Sequence, residues 1–205
     1  MAKIMIIGAS GTIGQAVAEL LSPGNEILRI GNSRGDDTVD LSSKASIEAL
    51  FERTGALDAI VCAAGTARFA ALGQASDEDF AVSIDQKLMS QVNLVRIGHR
   101  YITGPGSITL TSGMLAREPW PGSVPVAMVN AALHGFVRSA ALDIENGLRL
   151  NVVSPILVTE TARTRGMATA GTMSAAETAK AYKACVDGPM TGQVLDVRDY
   201  GTVTG

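Results

Sequence analysis

The chain has 205 residues, of which 46% are hydrophobic and 18% are charged, and its formal net charge is −3. This composition excludes a disordered chain and predicts one folded domain over residues 1–205. The slightly acidic balance argues against a nucleic-acid partner, and no apolar run is long enough to cross a membrane. Two cysteines without metal-ligand spacing indicate a reducing compartment, so the expected location is cytoplasmic.

Short apolar runs alternate with amphipathic helical patterns along the chain. The runs that predict strands are residues 4–7, 27–30, 59–62, 107–110, 150–153 and 194–197, with a short edge strand at 38–39. The segments that predict helices are residues 12–21, 43–53, 77–101, 123–146 and 174–184. Strands that alternate with helices form parallel sheets through right-handed crossovers. The pattern therefore predicts an α/β fold, with a single Rossmann-type doubly wound parallel sheet flanked by helices.

A glycine-rich turn joins the first predicted strand to the first predicted helix. Gly8, Gly11 and Gly14 follow the spacing G-x-x-G-x-x-G. Glycine lets the backbone approach a pyrophosphate closely, and the free N–H groups at the start of a helix bind that anion. The turn therefore predicts a dinucleotide site, and a tight turn without a ligand is the structural alternative. The absence of a following Gly-Lys-Ser/Thr sequence excludes a P-loop.

Several later segments make the sequence resemble the short-chain dehydrogenase/reductase family over nearly its whole length. These segments are residues 40–41, 62–65, 111–112, 130–136, 149–155 and 191–195, in addition to the glycine turn. The resemblance implies a nicotinamide cofactor. The residues that it places against this cofactor are Gly8, Ser10, Gly11, Thr12, Ile13, Gly14, Asp40, Leu41, Ala63, Ala64, Gly65, Asn130 and Pro155.

The residues after the second predicted strand argue for NADP(H). NAD-selective sites place a carboxylate at the end of this strand, where it binds the ribose hydroxyls. Here Asn32 and Ser33 can donate hydrogen bonds instead, and Arg34 can pair with a 2′-phosphate. The alternative is that Arg34 lies in water beside Asp36 and Asp37. The missing carboxylate also weakens a third interpretation, a methyltransferase with the same glycine turn.

The catalytic residues that the resemblance implies are incomplete. The family reduces carbonyls with a tyrosine acid, a lysine four residues later, a serine and a helix asparagine. Val126 stands at the tyrosine position, Asn130 at the lysine position and Lys87 at the asparagine position. We therefore expect Ser112 to hold the substrate oxygen, Lys87 to supply a charge or a proton, and Asn130 to bind the ribose. A solvated Lys87 and a Ser112 bonded to backbone are the structural alternatives.

The remaining tyrosines and histidines are expected outside the catalytic set. Tyr101, Tyr182 and Tyr200 fall at helix ends or in the C-terminal region. His134 follows Asn130 by one helical turn and is expected to serve packing, whereas His99 is expected on the surface. Neither histidine forms a metal pair with nearby carboxylates.

Two functions stay open on the sequence alone. The first is an NADP(H)-dependent oxidoreductase that acts on a small carbonyl or alcohol. The second is a non-catalytic NADP(H)-binding sensor or scaffold, which Val126 and Asn130 favour. The resemblance also implies a homodimer or homotetramer built on the helices at 77–101 and 123–146. Residues 159–173 read as an irregular, threonine-rich loop that covers the site and selects the substrate.

Overall fold

The computed structural model of the protein describes residues 1–205 as seven strands with helices between them. The strands are β1 (Lys3–Ile7), β2 (Glu26–Gly31), β3 (Asp37–Thr38), β4 (Leu57–Cys62), β5 (Ile102–Thr111), β6 (Arg149–Ser154) and β7 (Val194–Asp196). The helices are α1 (Thr12–Leu21), α2 (Lys44–Thr54), α3 (Asp77–Ser83), α4 (Ser90–Gly98), α5 (Val124–Asp143), α6 (Thr159–Thr164) and α7 (Ala175–Asp187). None of these helices is both long and apolar enough to cross a membrane.

All seven strands are parallel and lie in the order β3-β2-β1-β4-β5-β6-β7. The chain begins in the middle of the sheet at β1 and moves outward through β2 and β3. It then returns to β4 on the other side of β1. Ligands of open α/β sheets bind beyond the carboxyl ends of the strands where the order reverses in this way. The predicted doubly wound parallel sheet is confirmed. Its topology predicts a binding site beyond the carboxyl ends of β1 and β4.

The sheet is buried on both faces, because alternate residues of each strand point in opposite directions. Met5 and Ile7 of β1 belong to a core packed beneath α2, α4 and α5. Ile4 and Ile6 belong to a second core packed beneath α1 and α7. Burial on both faces explains why the central strands read as continuous apolar runs and do not alternate with polar residues.

Thr111, the last residue of β5, is bonded from three sides. Gln91 of α4 accepts a hydrogen bond from the Thr111 N–H at 2.8 Å and donates one to the Thr111 carbonyl at 2.9 Å. The Thr111 hydroxyl donates to the carbonyl of Cys62 at 2.6 Å, so its oxygen accepts from the Tyr182 hydroxyl at 2.8 Å. These bonds tie the end of β5 to α4, to β4 and to α7.

The single helix predicted over residues 77–101 is divided in the structure. A π-helical segment (Ile84–Met89) separates α3 from α4, and a 3₁₀ turn (His99–Tyr101) ends the run. Ser83 donates to the carbonyl of Asp79 at 2.7 Å and Ser90 donates to that of Gln86 at 3.0 Å. Such bonds compete with the regular helix ladder. The apolar spacing predicts a continuous helix and carries no signal for this change of winding.

The prediction of an irregular loop over residues 159–173 is wrong in part, because α6 occupies its first residues. The segment is held by partners that are distant in sequence. Thr159 bonds through its hydroxyl to that of Thr172 at 2.7 Å, and Thr204 donates its N–H to the carbonyl of Thr172 at 2.7 Å. The Glu160 carboxylate also accepts from the N–H of Ala175 at the start of α7. Local periodicity does not show such contacts.

Candidate functional site

The glycine turn between β1 and α1 is packed tightly on itself and on β4. Gly8 has a φ of +84°, and a Cβ atom there would lie 2.9 Å from the carbonyl carbon of Ala63. A Cβ atom on Gly14 would lie 2.1 Å from the carbonyl oxygen of Gly8. Larger residues at these two positions would force the turn open.

An open cleft of about 500 Å³ runs along the carboxyl ends of β1, β2 and β4. We call it the glycine cleft. Nine of the residues predicted to bind a cofactor line it: Gly8, Ser10, Gly11, Asn32, Asp40, Leu41, Ala63, Ala64 and Gly65. Gln86 and Ser90, which the sequence analysis did not identify, line it as well. The structure therefore brings residues as far apart in sequence as Ile7 and Ser90 into one groove.

Seven predicted cofactor residues lie outside the lining of the glycine cleft: Thr12, Ile13, Gly14, Ser33, Arg34, Asn130 and Pro155. Thr12 and Ser33 are exposed, Ile13 is half-buried and Gly14 is buried within the turn. Pro155 lines a different cavity, described below. Gly14 therefore allows the tight shape of the turn and does not line the cleft.

Arg34 lies in a second opening beside the glycine turn. Ser10, Gln15, Glu19 and Arg29 also line this opening, and Glu19 is its acidic residue. Arg34 is exposed and forms no ion pair. The opening therefore presents two guanidinium groups next to the turn.

The acidic residues that follow Arg34 have other partners. Asp37 pairs with Arg53 at 3.0 Å, and the pKa of its carboxyl is lowered chiefly by that hydrogen bond. Asp36 accepts from the backbone N–H of Arg29 at 2.8 Å. Neither aspartate neutralises Arg34.

A third cavity, of about 340 Å³, adjoins the glycine cleft at Gly65 and Thr66. We call it the polar cavity, and the residues that line it are Gly65, Thr66, Ala67, Phe69, Lys87, Ser112, Val126, Asn130 and Arg165. It brings together the three predicted catalytic residues, Lys87 from the π-helical segment, Ser112 from the end of β5 and Asn130 from α5. No tyrosine lines it.

Lys87 is buried, with a relative exposure of 8%, so the solvated alternative is wrong. Its Nζ atom forms no hydrogen bond or ion pair with the protein. Burial without a partner lowers the pKa of this ammonium group from 10.5 to about 8. A Cβ atom on Gly65 would lie 2.8 Å from Cδ of Lys87, so Gly65 makes room for the lysine.

Asn130 lines the polar cavity and has a buried acceptor that is unsatisfied. Its side chain is buried, and the Oδ1 atom has no hydrogen-bond partner. Its Nδ2 atom would lie 2.9 Å from a Cβ atom on Gly113, so the missing side chain of Gly113 leaves room for the Asn130 amide. A buried acceptor without a partner costs roughly 1–3 kcal/mol.

His134 contacts Ser112, although the sequence predicts a packing role for this histidine. The Nε2 atom of His134 lies 2.8 Å from the Ser112 hydroxyl oxygen, and both side chains are buried. Burial, assisted by Arg117 and Arg138, lowers the pKa of His134 to about 4. The i, i+4 spacing from Asn130 was the available signal, because residues four apart share one face of a helix.

The tyrosines lie away from the polar cavity, as predicted. The Tyr182 hydroxyl reaches Thr111 but is completely buried in the core beneath α1 and α7, and burial raises its pKa far above the usual value. Tyr101 stacks on Phe51 with ring centroids 5.1 Å apart. Tyr200 packs against the same core as Tyr182.

An apolar cavity of about 360 Å³ continues from the polar cavity and shares Phe69, Asn130 and Arg165 with it. The other residues that line it are Gly113, Met114, Leu115, Trp120, Pro155, Ile156, Leu157 and Met167. Arg165 and Met167 belong to the segment expected to cover the site. The arrangement offers a polar end for a reacting group and an apolar end for the rest of a small molecule. No cluster of metal-ligating side chains is present.

Comparisons with known proteins agree with this architecture. The family profile described as Enoyl-(Acyl carrier protein) reductase matches residues 2–189. The 3-oxoacyl-[acyl-carrier-protein] reductase FabG of Rickettsia prowazekii is 29% identical over 173 residues, covering 74% of this chain and 70% of that protein.

Two solved structures are similar over almost the whole chain. The protein lin1944 from Listeria innocua superposes with a TM-score of 0.91 at 38% identity, covering 96% of this chain and 100% of that one. A small-chain dehydrogenase in complex with NADPH superposes with a TM-score of 0.83 at 27% identity, covering 95% of each chain.

Replacing Gly14 by Ala is expected to lower the free energy of unfolding by about 1–3 kcal/mol, because the new methyl group overlaps the Gly8 carbonyl. Gly135, inside α5, is the matched control, since a Cβ atom there meets nothing within 4 Å. Gly135→Ala is expected to raise stability by about 0.5–1 kcal/mol through helix propensity. Urea unfolding of both variants measures the difference, and similar effects of the two would contradict the close packing of the turn.

Replacing Lys87 by Met is expected to stabilise the protein at pH 7. The unfolded lysine titrates near 10.5 and the folded one near 8, so between these values the unfolded chain binds more protons and wild-type stability rises with pH. Below pH 8 the full cost of the buried charge applies, on the order of 3 kcal/mol. Lys87→Met removes this cost, and its advantage in urea unfolding shrinks as the pH approaches 10.

The exposed Lys44 supplies the control for this measurement. Lys44→Met is expected to change stability by less than about 0.5 kcal/mol at either pH. A Lys87→Met variant that is no more stable than wild type at pH 7 would show that the ammonium group is adequately solvated.

Proposed function

The chain belongs to the short-chain dehydrogenase/reductase family, and from this premise we propose that it is an NADP(H)-dependent oxidoreductase acting on a small carbonyl or alcohol substrate. The observation that carries the proposal is the convergence of Lys87, Ser112 and Asn130 on one cavity next to the glycine cleft. The relatives named as reductases support the reaction class, and the similar dehydrogenase in complex with NADPH supports the cofactor.

The residues of the glycine cleft fit NADP(H). The packing at Gly8 and Gly14 leaves the backbone of the turn open to a pyrophosphate, at the N-terminus of α1. Arg34, without an acidic partner, suits the 2′-phosphate that distinguishes NADP(H), and Asn32 adds a donor at the end of β2. The unsatisfied Oδ1 atom of Asn130 suits a ribose hydroxyl.

The polar cavity supplies what carbonyl reduction needs besides the cofactor. A reduced nicotinamide held by the glycine cleft would supply the hydride for the new C–H bond at the carbonyl carbon, and the π electrons of the carbonyl would become a lone pair on its oxygen. We assign Ser112 to hold that oxygen by a hydrogen bond. We assign the proton that completes the alcohol to the Lys87 ammonium group, which the pKa near 8 keeps protonated at neutral pH. Lys87 then regains a proton from solvent, and alcohol oxidation uses the same groups in reverse.

We propose that this site works without the tyrosine and lysine pair of the family. Val126 takes the place of the phenol and lines the polar cavity. A positioned acid contributes roughly 10²–10⁴-fold to a rate. A lysine of lowered pKa can replace part of that contribution, so turnover is slower but present. The apolar cavity takes the hydrocarbon part of the substrate, and assembly into a homodimer or homotetramer stays a prediction.

A second candidate function is a non-catalytic NADP(H)-binding sensor or scaffold. The observation that favours it is the apolar Val126 in the polar cavity, which leaves the cofactor contacts intact and supplies no proton. Tight binding of NADPH without turnover of carbonyl probes would select this function over the first.

Arg34→Ala is expected to weaken the binding of NADPH at least tenfold and to leave the binding of NADH nearly unchanged, because only NADPH carries the 2′-phosphate. A tenfold change corresponds to about 1.4 kcal/mol. Nicotinamide fluorescence titrations measure both dissociation constants. Arg100→Ala is the control, because Arg100 is an exposed arginine in the 3₁₀ turn that follows α4. Equal losses for the two nucleotides would contradict the assignment of Arg34.

Ser112→Ala is expected to lower kcat about a hundredfold with NADPH and a short 3-oxoacyl thioester as the probe, since removal of one donor to a developing oxyanion has about that effect. The dissociation constant of NADPH should not change. The wild-type rate of reduction should fall as the pH rises through about 8, because Lys87 loses its proton. Loss of nicotinamide absorbance follows the reaction.

Two variants complete this test. Ser139→Ala removes an exposed hydroxyl of α5 and should leave kcat unchanged. Lys87→Met should be slow and independent of pH over the same range. A wild-type rate that does not respond to pH, or a Ser112→Ala variant with full activity, would remove these residues from the reaction.

A further inference from the structure

The Ser112 hydroxyl lies between two protein groups before any substrate arrives. The Nε2 atom of His134 is 2.8 Å from the Ser112 oxygen, and the backbone carbonyl of Val153 is 3.3 Å from it. The histidine is therefore the close partner, and the carbonyl is a long and weak one. Ser112 and His134 are 6% and 7% exposed, so water competes little for either contact.

The number of protons decides how this arrangement works. A serine hydroxyl has one proton to donate, and a carbonyl oxygen can only accept. If the proton of Ser112 points to Val153, the short contact with His134 needs a proton on Nε2. If Nε2 carries no proton, the single hydroxyl proton of Ser112 can support only one of these two contacts, although the Val153 carbonyl still accepts the Ser112 N–H at 2.9 Å. A neutral imidazole protonated at Nε2 satisfies both contacts.

We propose that His134 is a positioning residue for the substrate-binding serine, in that its Nε2–H group donates to Ser112 and leaves the one hydroxyl proton of Ser112 free for the substrate oxygen. This inference rests on the proposed function, because it deepens the role given there to Ser112. On substrate binding, the hydroxyl proton turns from the weak contact with Val153 to the carbonyl oxygen in the polar cavity. His134 stays in place and fixes the serine oxygen during that rotation.

The surroundings of His134 favour this role over that of an acid or a base. Arg117 and Arg138 are the charged groups whose fields act on the ring, and both oppose a positive charge there. With burial, they keep the imidazole neutral at physiological pH, so it has no extra proton to deliver. A hydroxyl that accepts a hydrogen bond is also a stronger donor, because neighbouring hydrogen bonds polarise each other.

A bare Nε2 atom would imply different chemistry. It would accept the proton of Ser112 and turn the pair into a nucleophile and a general base, as in covalent catalysis. The contact between Ser112 and Val153 would then have no proton to support it. The tautomer of His134 therefore separates the two roles.

Nitrogen-15 NMR of the imidazole groups tests the tautomer without any substrate or cofactor. The chain has only two histidines, and His99 is an internal reference because its Nδ1 atom lies 3.0 Å from the carbonyl of Val95 and must carry the proton there. We expect His134 to be protonated at Nε2 and neutral at pH 7. In Ser112→Ala, the Nε2 proton should exchange with water faster. A bare Nε2 atom in the wild type would overturn the proposal.

Kinetics of two variants test the consequence for the reaction. His134→Gln keeps an N–H donor and cannot titrate, whereas His134→Leu has no donor. With the 3-oxoacyl thioester probe, His134→Leu should lower kcat about tenfold, as expected for one hydrogen bond of ordinary net strength, without a change in NADPH affinity. His134→Gln should restore kcat to within about threefold of wild type with an unchanged pH profile. His99→Gln is the matched control and should behave as wild type.

The outcomes separate this inference from the proposed function. If no carbonyl probe is reduced by the wild type, the proposed function fails, while the NMR result still decides the tautomer and with it the contact to Ser112. If the wild type is active and His134→Leu matches it, or His134→Gln is as slow as His134→Leu, the positioning role is wrong. NMR on the wild type gives an answer even if His134→Leu does not fold.

Discussion

The hydrogen bonds at Thr111 are the constraint on which the rest of the site depends. Its backbone is bonded by Gln91, and its hydroxyl connects Cys62 with Tyr182. Each such bond contributes about 1 kcal/mol net, but their larger effect is geometric. They hold the ends of β4 and β5 and the start of α4 in fixed relation. Ser112 is the next residue along the chain, so α4, α7, β4 and β5 together fix the position of its hydroxyl.

The polar cavity contains groups whose burial lowers the stability of the folded protein. Lys87 holds a charge in a buried place without a partner, and Asn130 holds a carbonyl oxygen without a donor. The core of the protein offsets these costs, because the sheet is buried on both faces. Unsatisfied groups in native proteins require an explanation. The proposed function would explain both, because a cofactor and a substrate would then contact these groups.

The resemblance to the family identified the serine, the lysine and the asparagine of the polar cavity, and apolar periodicity identified the strands and most helices. Periodicity did not identify the π-helical segment that carries Lys87, because the apolar spacing carries no signal for a change of winding. It also missed α6, which depends on contacts with α7 and with the C-terminal residues. His134 was visible as a neighbour of Asn130 on the helix, yet its partner Ser112 lies 22 residues away, directly after β5.

The sequence by itself determined the order of strands and helices, the position of the glycine turn and the residue types near the cofactor, because these follow from local periodicity and from motifs with fixed spacing. Only the tertiary structure decided the burial and the partners of the polar residues. Whether Lys87 is solvated or buried depends on how α3, the π-helical segment and α5 pack together. The same is true of Ser112 and His134, because a hydrogen bond between distant residues exists only after the chain has folded.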